Sequence, residues 1–185
     1  MPNDRPDLAI LLKAMEFAAR KHSTQRRKDV DASPYINHPI LVVRLLAEIG
    51  EVTDLVTLLG GVLHDTVEDT STTPDELERE FGRDVRRVVE EVTDDKTLDK
   101  AERKRLQIEH APRLSPKAKA IKLADKIANL QDVMDSPPAN WTLERRVEYF
   151  DWTEAVVAGC RGVNAPLERL YDQTLKQGRS KLKTV

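Results

Sequence analysis

From residue 39 to residue 177, apolar residues recur at three- and four-residue spacing in one segment after another, and no stretch of strand length alternates apolar with polar. That rhythm commits the chain to helices. Leu8, Leu11, Leu12, Met15, Ala18 and Ala19 mark an amphipathic first helix. Pro39 opens a helix through Ile40, Val43, Leu45 and Leu46 that stops at Gly50, and Thr53 caps another through Leu55, Val56, Leu59 and Val62. Thr73-Pro74-Asp75-Glu76 joins a capping Thr, Pro at the first helical position and Glu three residues after the cap, with Gly82 as the stop. Val85, Val88, Val89 and Val92 mark the next helix, Lys100 to Ala111 a more exposed one, and Ser115-Pro116 one that reaches about Leu130. Thr142 starts a long helix to about Gly162, and residues 166–177 form the last. The expectation is an all-α fold of about eight to ten helices, with its core over residues 8–175 and a frayed lysine-rich end over 179–185. Seven Gly and ten Pro in 185 residues are too few for a many-stranded β protein, and the length suits a single domain. His22 to Asn37 lacks the period and reads as a long loop, a length usually reserved for function.

The 30 Lys and Arg balance 32 Asp and Glu, so the net charge of −2 gives no general attraction to nucleic acid or to an anionic membrane. An anionic ligand must then be held by a local basic cluster. No apolar run approaches the ~18 residues of a membrane span, and Lys13 and Glu16 interrupt the N-terminal stretch, so a cytoplasmic protein is expected. The lone cysteine, Cys160, sits in an apolar stretch and reads as packing.

The chemistry gathers in polar residues placed where apolar ones belong. Asp125 lies on a helix that is apolar over most of its circumference, and a buried carboxylate there needs either a basic partner or a metal. Asn129 and Asp132 continue its stripe. His64-Asp65 ends an apolar helix and His38 opens another. Two imidazoles and two carboxylates suit a divalent ion such as Mn²⁺, with positions left for water or phosphate oxygens. His22 and His110 have no comparable context and read as surface residues.

The order His38, His64-Asp65, Asp125 resembles the HD-domain metal-dependent phosphohydrolases, an all-helical superfamily. Longer stretches sharpen the likeness: Arg26-Arg27-Lys28-Asp29, Pro34-Tyr35-Ile36-Asn37-His38-Pro39, Leu63 to Thr70, Val92-Thr93-Asp94-Asp95-Lys96, Lys122-Leu123-Ala124-Asp125-Lys126 and Glu148-Tyr149-Phe150-Asp151-Trp152. In this order they resemble the stand-alone alarmone hydrolases, small relatives of the hydrolase domain in the Rel and SpoT proteins.

That resemblance implies hydrolysis of guanosine tetra- and pentaphosphate, with loss of the 3′-diphosphate as pyrophosphate to leave GDP or GTP. It assigns one Mn²⁺ to His38, His64, Asp65 and Asp125, and the reaction to Glu68 and Asp69, a pair that without this context reads as a solvated acidic loop. It places Arg27 and Lys28 on the guanine side, Lys100 and Arg145 at the phosphates, and Asn129 and Tyr149 beside the nucleoside. The implied partner is a small guanine nucleotide; nothing in the chain names a protein partner. One departure is Gln131, where the family commonly carries Arg; rotated ~200° from Asn129, it is expected to matter little.

Two other readings remain at this stage. A phosphohydrolase acting on another nucleotide, such as a deoxynucleotide or a ribose-phosphorylated dinucleotide, would use the same metal. A non-catalytic alarmone sensor would be expected to have lost a metal ligand or the Glu-Asp pair, and this chain keeps all of them.

Overall fold

A computed structural model describes residues 5–183. Its helices are α1 (Arg5–Lys21), α2 (Asn37–Arg44), α3 (Leu55–Leu63), α4 (Thr66–Asp69), α5 (Pro74–Phe81), α6 (Arg83–Val92), α7 (Lys100–His110), α8 (Pro116–Asp135), α9 (Leu143–Ala158) and α10 (Ala165–Leu182). α2 continues into a π turn over Leu45–Ile49, where Gly50 N–H reaches back five residues to Leu45 O. Among the described residues the only β pairing is one isolated bridge, Arg26 to Pro34, and the fold is all-α as expected. No described helix is long and apolar enough to cross a membrane.

α8 is the axis of the molecule. Ile121, Leu123, Ala124, Ile127, Ala128 and Leu130 are fully buried because α2, α3, α6, α9 and α10 all pack against it. An axial helix surrounded in this way must be apolar nearly all round, which is why its few polar side chains stand out. Truncating one such side chain, as in Leu123→Ala, removes ~2–5 kcal/mol of stability. Ser115 caps α8 by accepting from Ala118 N–H, and Thr142 and Asn164 cap α9 and α10 in the same way. Thr73 accepts from Glu76 N–H with Pro74 next to it, while Gly82, at φ 90°, ends α5 in a conformation that side chains rarely tolerate.

Several boundaries and faces differ from the sequence expectation. Asp54, not Thr53, caps α3, because it stands directly before Leu55 and its carboxylate reaches Thr57 N–H at 2.9 Å. In α1 the buried face is Ala14, Phe17 and Ala18, whereas Leu8 and Leu12 are more than half exposed. Phe17 sets this rotation by meeting Phe81 of α5 edge-on at 5.3 Å. α8 runs past Leu130 to Asp135, and α9 stops at Ala158 rather than near Gly162.

α10 continues to Leu182 against the expected frayed end, since Gly178 lets Phe150 approach to where a Cβ would stand 2.1 Å from its ring. Arg179 then pairs with Asp151 and Glu154. Thr184 and Val185, the end of that expected tail, lie outside the described residues.

Candidate active site

Three helices deliver the central residues. His38 sits in the first turn of α2, His64 follows the last residue of α3, Asp65 occupies the break before α4, and Asp125 projects from the middle of α8. His38 Nε2 is 3.1 Å from Asp125 Oδ1 and 3.9 Å from Asp65 Oδ2; His64 Nε2 is 3.0 Å from Asp65 Oδ2 and 3.9 Å from Asp125 Oδ1. His64 Nδ1 donates to Gly61 O at 2.8 Å, which turns Nε2 toward the carboxylates.

This donor set fits a divalent ion. Ligand atoms ~2.1 Å from an ion and at right angles to one another stand ~3 Å apart, and the two shortest contacts have that spacing. His64 Nε2, although close to Asp65, makes no aligned hydrogen bond, and neither does the buried His38 Nδ1. Ligand atoms of His38, His64 and Asp65 lie within 4.8 Å of one another, and Asp125 Oδ1 joins them from α8.

The electrostatics favour positive charge at this point. Burial opposes ionisation of Asp65, but His64 and His38 outweigh it and hold the carboxyl below its usual range. For Asp125 burial is outweighed by the Lys126 ammonium, 2.9 Å from Oδ2, and by His38. Burial alone would lower His64, yet Asp65 and Asp125 raise it to about 9. His38 is lowered, by burial first and then by Arg27, with Asp125 opposing.

Glu68 and Asp69 face the same space from α4. Glu68 Oε2 accepts from Asp94 N–H at 3.1 Å, and its Oε1 is 3.7 Å from Arg103 Nη1. Burial raises the Glu68 carboxyl, and the Asp94, Asp65 and Asp69 charges add to that while the Asp94 N–H opposes. Asp69 accepts from Gln25 Nε2 at 2.9 Å and pairs with Lys96. His38, His64, Asp65, Glu68, Asp69, Asp125 and Asn129 line one cavity of about 160 Å³.

The other expected residues do not line that cavity. Arg27 donates to Asn129 Oδ1 at 3.2 Å and pairs with Asp132, while Asn129 Nδ2 donates to Asp125 Oδ1 at 2.6 Å. The Gln131 side chain makes no hydrogen bond among the described residues, and its neighbour Asp132 is occupied by Arg27. Lys28 is exposed on the loop, Lys100 starts α7, and Arg145 on α9 lies 4.8 Å from the Trp141 ring centroid. Partial burial lowers the Lys100 ammonium, and Arg145, Lys104, Lys28 and Arg103 lower it further, so these cations crowd one another. None of Lys28, Lys100 and Arg145 has a carboxylate partner within ion-pair distance among the described residues. Tyr149, half-buried, lies between Trp141 and Trp152 at 5.2 and 5.4 Å.

His22 corrects a sequence expectation: it is buried, not on the surface, because its Nδ1 meets Gln25 Oε1 at 2.6 Å and its ring lies against Tyr35 at 4.8 Å. His110 is exposed as expected. Sequence reasoning gave no role to Tyr35, Gln25, Lys96 or Lys126. Tyr35 and Lys126 are direct neighbours of the Asp65 and Asp125 carboxylates, and their place inside the Pro34–Pro39 and Lys122–Lys126 stretches was the available signal.

The HD-domain profile matches residues 14–149. A Xenopus tropicalis protein named guanosine-3′,5′-bis(diphosphate) 3′-pyrophosphohydrolase MESH1 is 56% identical over 166 residues, covering 90% of this chain and 93% of its own. The Homo sapiens protein of that name is 56% identical over 171 residues, covering 92% and 96%. A solved structure described as a metazoan ortholog of SpoT that hydrolyzes ppGpp superposes with a TM-score of 0.89 at 48% identity, over 91% of this chain and 95% of that one. The chain belongs to the HD-domain family and, within it, to the group of small relatives that carry this name.

Proposed function

We propose that this protein hydrolyses guanosine 3′,5′-bis(diphosphate) and its pentaphosphate form, removing the 3′-diphosphate to give GDP or GTP plus pyrophosphate. The observation that carries the reading is the convergence of His38, His64, Asp65 and Asp125 on one cavity whose wall also holds Glu68 and Asp69. Relatives about half identical over nine tenths of the chain take their name from this reaction.

His38, His64, Asp65 and Asp125 would hold Mn²⁺, a choice supported by their mixture of imidazole and carboxylate donors. A bound divalent ion supplies positive charge against phosphate repulsion and Lewis acidity at the phosphorus. Burial raises the Glu68 carboxyl and so favours its acid form, which assigns to Glu68 the protonation of the departing 3′ oxygen. Asp69, fixed by Gln25 and Lys96, orients the attacking water and accepts its proton. Arg27, Lys28, Asn129 and Tyr149 hold the nucleoside, and Lys100 and Arg145 hold phosphate. Arg27 gains precision from its contacts to Asn129 and Asp132, because a guanidinium already fixed in its plane loses less freedom when a base stacks on it.

One hydrophobic cluster joins Ala14 to Leu175, which supports a single domain over residues 8–175. A cytoplasmic location agrees with the buried, unpaired Cys160.

Incubating Mn²⁺-loaded protein with guanosine tetraphosphate and separating the products should give GDP and pyrophosphate in equal amounts. The adenosine compound should be cleaved ~10²-fold less efficiently. Equal specificity constants for the two bases, or stepwise release of orthophosphate, would favour the broader nucleotide phosphohydrolase instead.

A further inference from the structure

Tyr35 stands between the two ends of the site. It lies on the descending arm of the 22–36 loop, and its N–H bonds to Gln25 O at 3.2 Å while Arg27 N–H bonds to Ser33 O at 2.9 Å. Asp29 ties the tip of the loop by accepting from Ser33 N–H at 2.9 Å. Arg27 and Tyr35 are therefore fixed relative to each other by backbone. The Arg27 guanidinium sits 5.5 Å from the Tyr35 ring centroid, and the buried His22 ring supports Tyr35 at 4.8 Å with a tilt of 30°. At the far end of the same side chain, the hydroxyl donates to Asp65 Oδ2 at 2.5 Å, the oxygen that also faces His38 and His64.

We infer that Tyr35 is a positioning residue with two separable tasks: its hydroxyl fixes the plane of the metal-ligand carboxylate of Asp65, and its ring is the platform that holds Arg27 for the nucleoside. The inference rests on the metal and nucleoside assignments above and adds the residue that joins them. A carboxylate ligand is free to turn about its last bond unless an outer lone pair is engaged, and the Tyr35 O–H engages it. Arg27 is anchored from the other direction by Asn129 and Asp132 on α8, and the ring closes the third side of that cradle. A side chain that merely filled space here would be replaced by Phe without consequence for metal binding.

The test uses Tyr35→Phe and Tyr35→Leu in the full chain, with Mn²⁺ alone as the first probe. The Mn²⁺ dissociation constant is read from the electron paramagnetic resonance of the free ion. The Phe variant should bind Mn²⁺ ~10-fold more weakly, while its KM for guanosine tetraphosphate at saturating Mn²⁺ stays near that of the unaltered protein. The Leu variant should show the same loss of Mn²⁺ and in addition a KM raised ~5-fold or more.

Arg27→Ala should raise KM by the same factor in the unaltered protein and in the Phe variant, where the ring survives, and by much less in the Leu variant. The Phe comparison reads the ring's task even where the Leu variant does not fold, because a smaller Arg27→Ala effect in Phe would deny the ring its role. Wild-type Mn²⁺ affinity in the Phe variant would overturn the hydroxyl's task, and an unchanged KM in a folded Leu variant would overturn the ring's. Unaltered protein that binds no Mn²⁺ would be a different result, contradicting the metal reading itself.

Discussion

Asn129 Nδ2 donates to Asp125 Oδ1 at 2.6 Å, one helical turn along α8, while Asn129 Oδ1 accepts from Arg27. A single amide therefore spans the Asp125 carboxylate, proposed as a metal ligand, and the Arg27 guanidinium, proposed for the base. Each end of the amide makes one of these bonds and keeps a second N–H or lone pair for the nucleoside, so the side chain also sets the spacing between the two groups.

Asn129→Ala should consequently damage both ends at once. Titration should show Mn²⁺ binding weakened ~10-fold, and steady-state kinetics a KM raised ~10-fold with a smaller change in kcat. Arg27→Ala should raise KM with Mn²⁺ binding intact. Normal Mn²⁺ affinity in Asn129→Ala would remove the amide from the metal site.

Glu68 links activity to stability through pH. Its carboxyl is raised above the ordinary 4.5, by burial first and then by the Asp94, Asp65 and Asp69 charges. A carboxyl raised on folding prefers its protonated form in the folded chain, so its contribution to stability is present at low pH and is lost as pH rises through the folded value. Gln keeps an acceptor for Asp94 N–H and cannot ionise. Glu68→Gln should thus melt at higher temperature than the unaltered protein at pH 7.5 in chelator, with the difference shrinking toward pH 4, while turnover falls ~10²-fold. A melting temperature below that of the unaltered protein at pH 7.5 would contradict the burial argument.

Metal should stabilise the fold, since the proposed ligands come from α2, the α3–α4 junction and α8. Free Mn²⁺ at ~100 times its dissociation constant adds ~2.7 kcal/mol, or ~5–10 °C in melting temperature for a domain of this size. Asp125→Asn should abolish that increment and the activity together. An undiminished increment in scanning fluorimetry would show that the ion binds elsewhere.

The legible parts of the sequence were those written in local chemistry. Thr73-Pro74 announced α5 because capping is decided within one turn, and Asp125 was conspicuous because a carboxylate on an otherwise apolar axial helix needs a partner. The faces of α1 were not legible, since its leucines are equivalent until Phe17 finds Phe81. Gly178 carried the usual sign of a helix end and meant close approach to Phe150 instead. The burial of His22 and the bond from Tyr35 to Asp65 arise from a loop folding back on α8 and the α3–α4 junction, contacts that no periodicity encodes. The phosphate roles given to Lys100 and Arg145 came from resemblance alone, and the crowding of Lys100 by Arg145, Lys104, Lys28 and Arg103 exists only in three dimensions.

The central claim is that water attacks the phosphorus bonded to the 3′ oxygen, with Glu68 protonating the nucleoside oxygen as it leaves. Hydrolysis of guanosine tetraphosphate in ¹⁸O-labelled water, followed by mass spectrometry of both products, tests this directly. One ¹⁸O should appear in pyrophosphate and none in GDP. Label in the GDP ribose, or recovery as orthophosphate in place of pyrophosphate, would contradict the account.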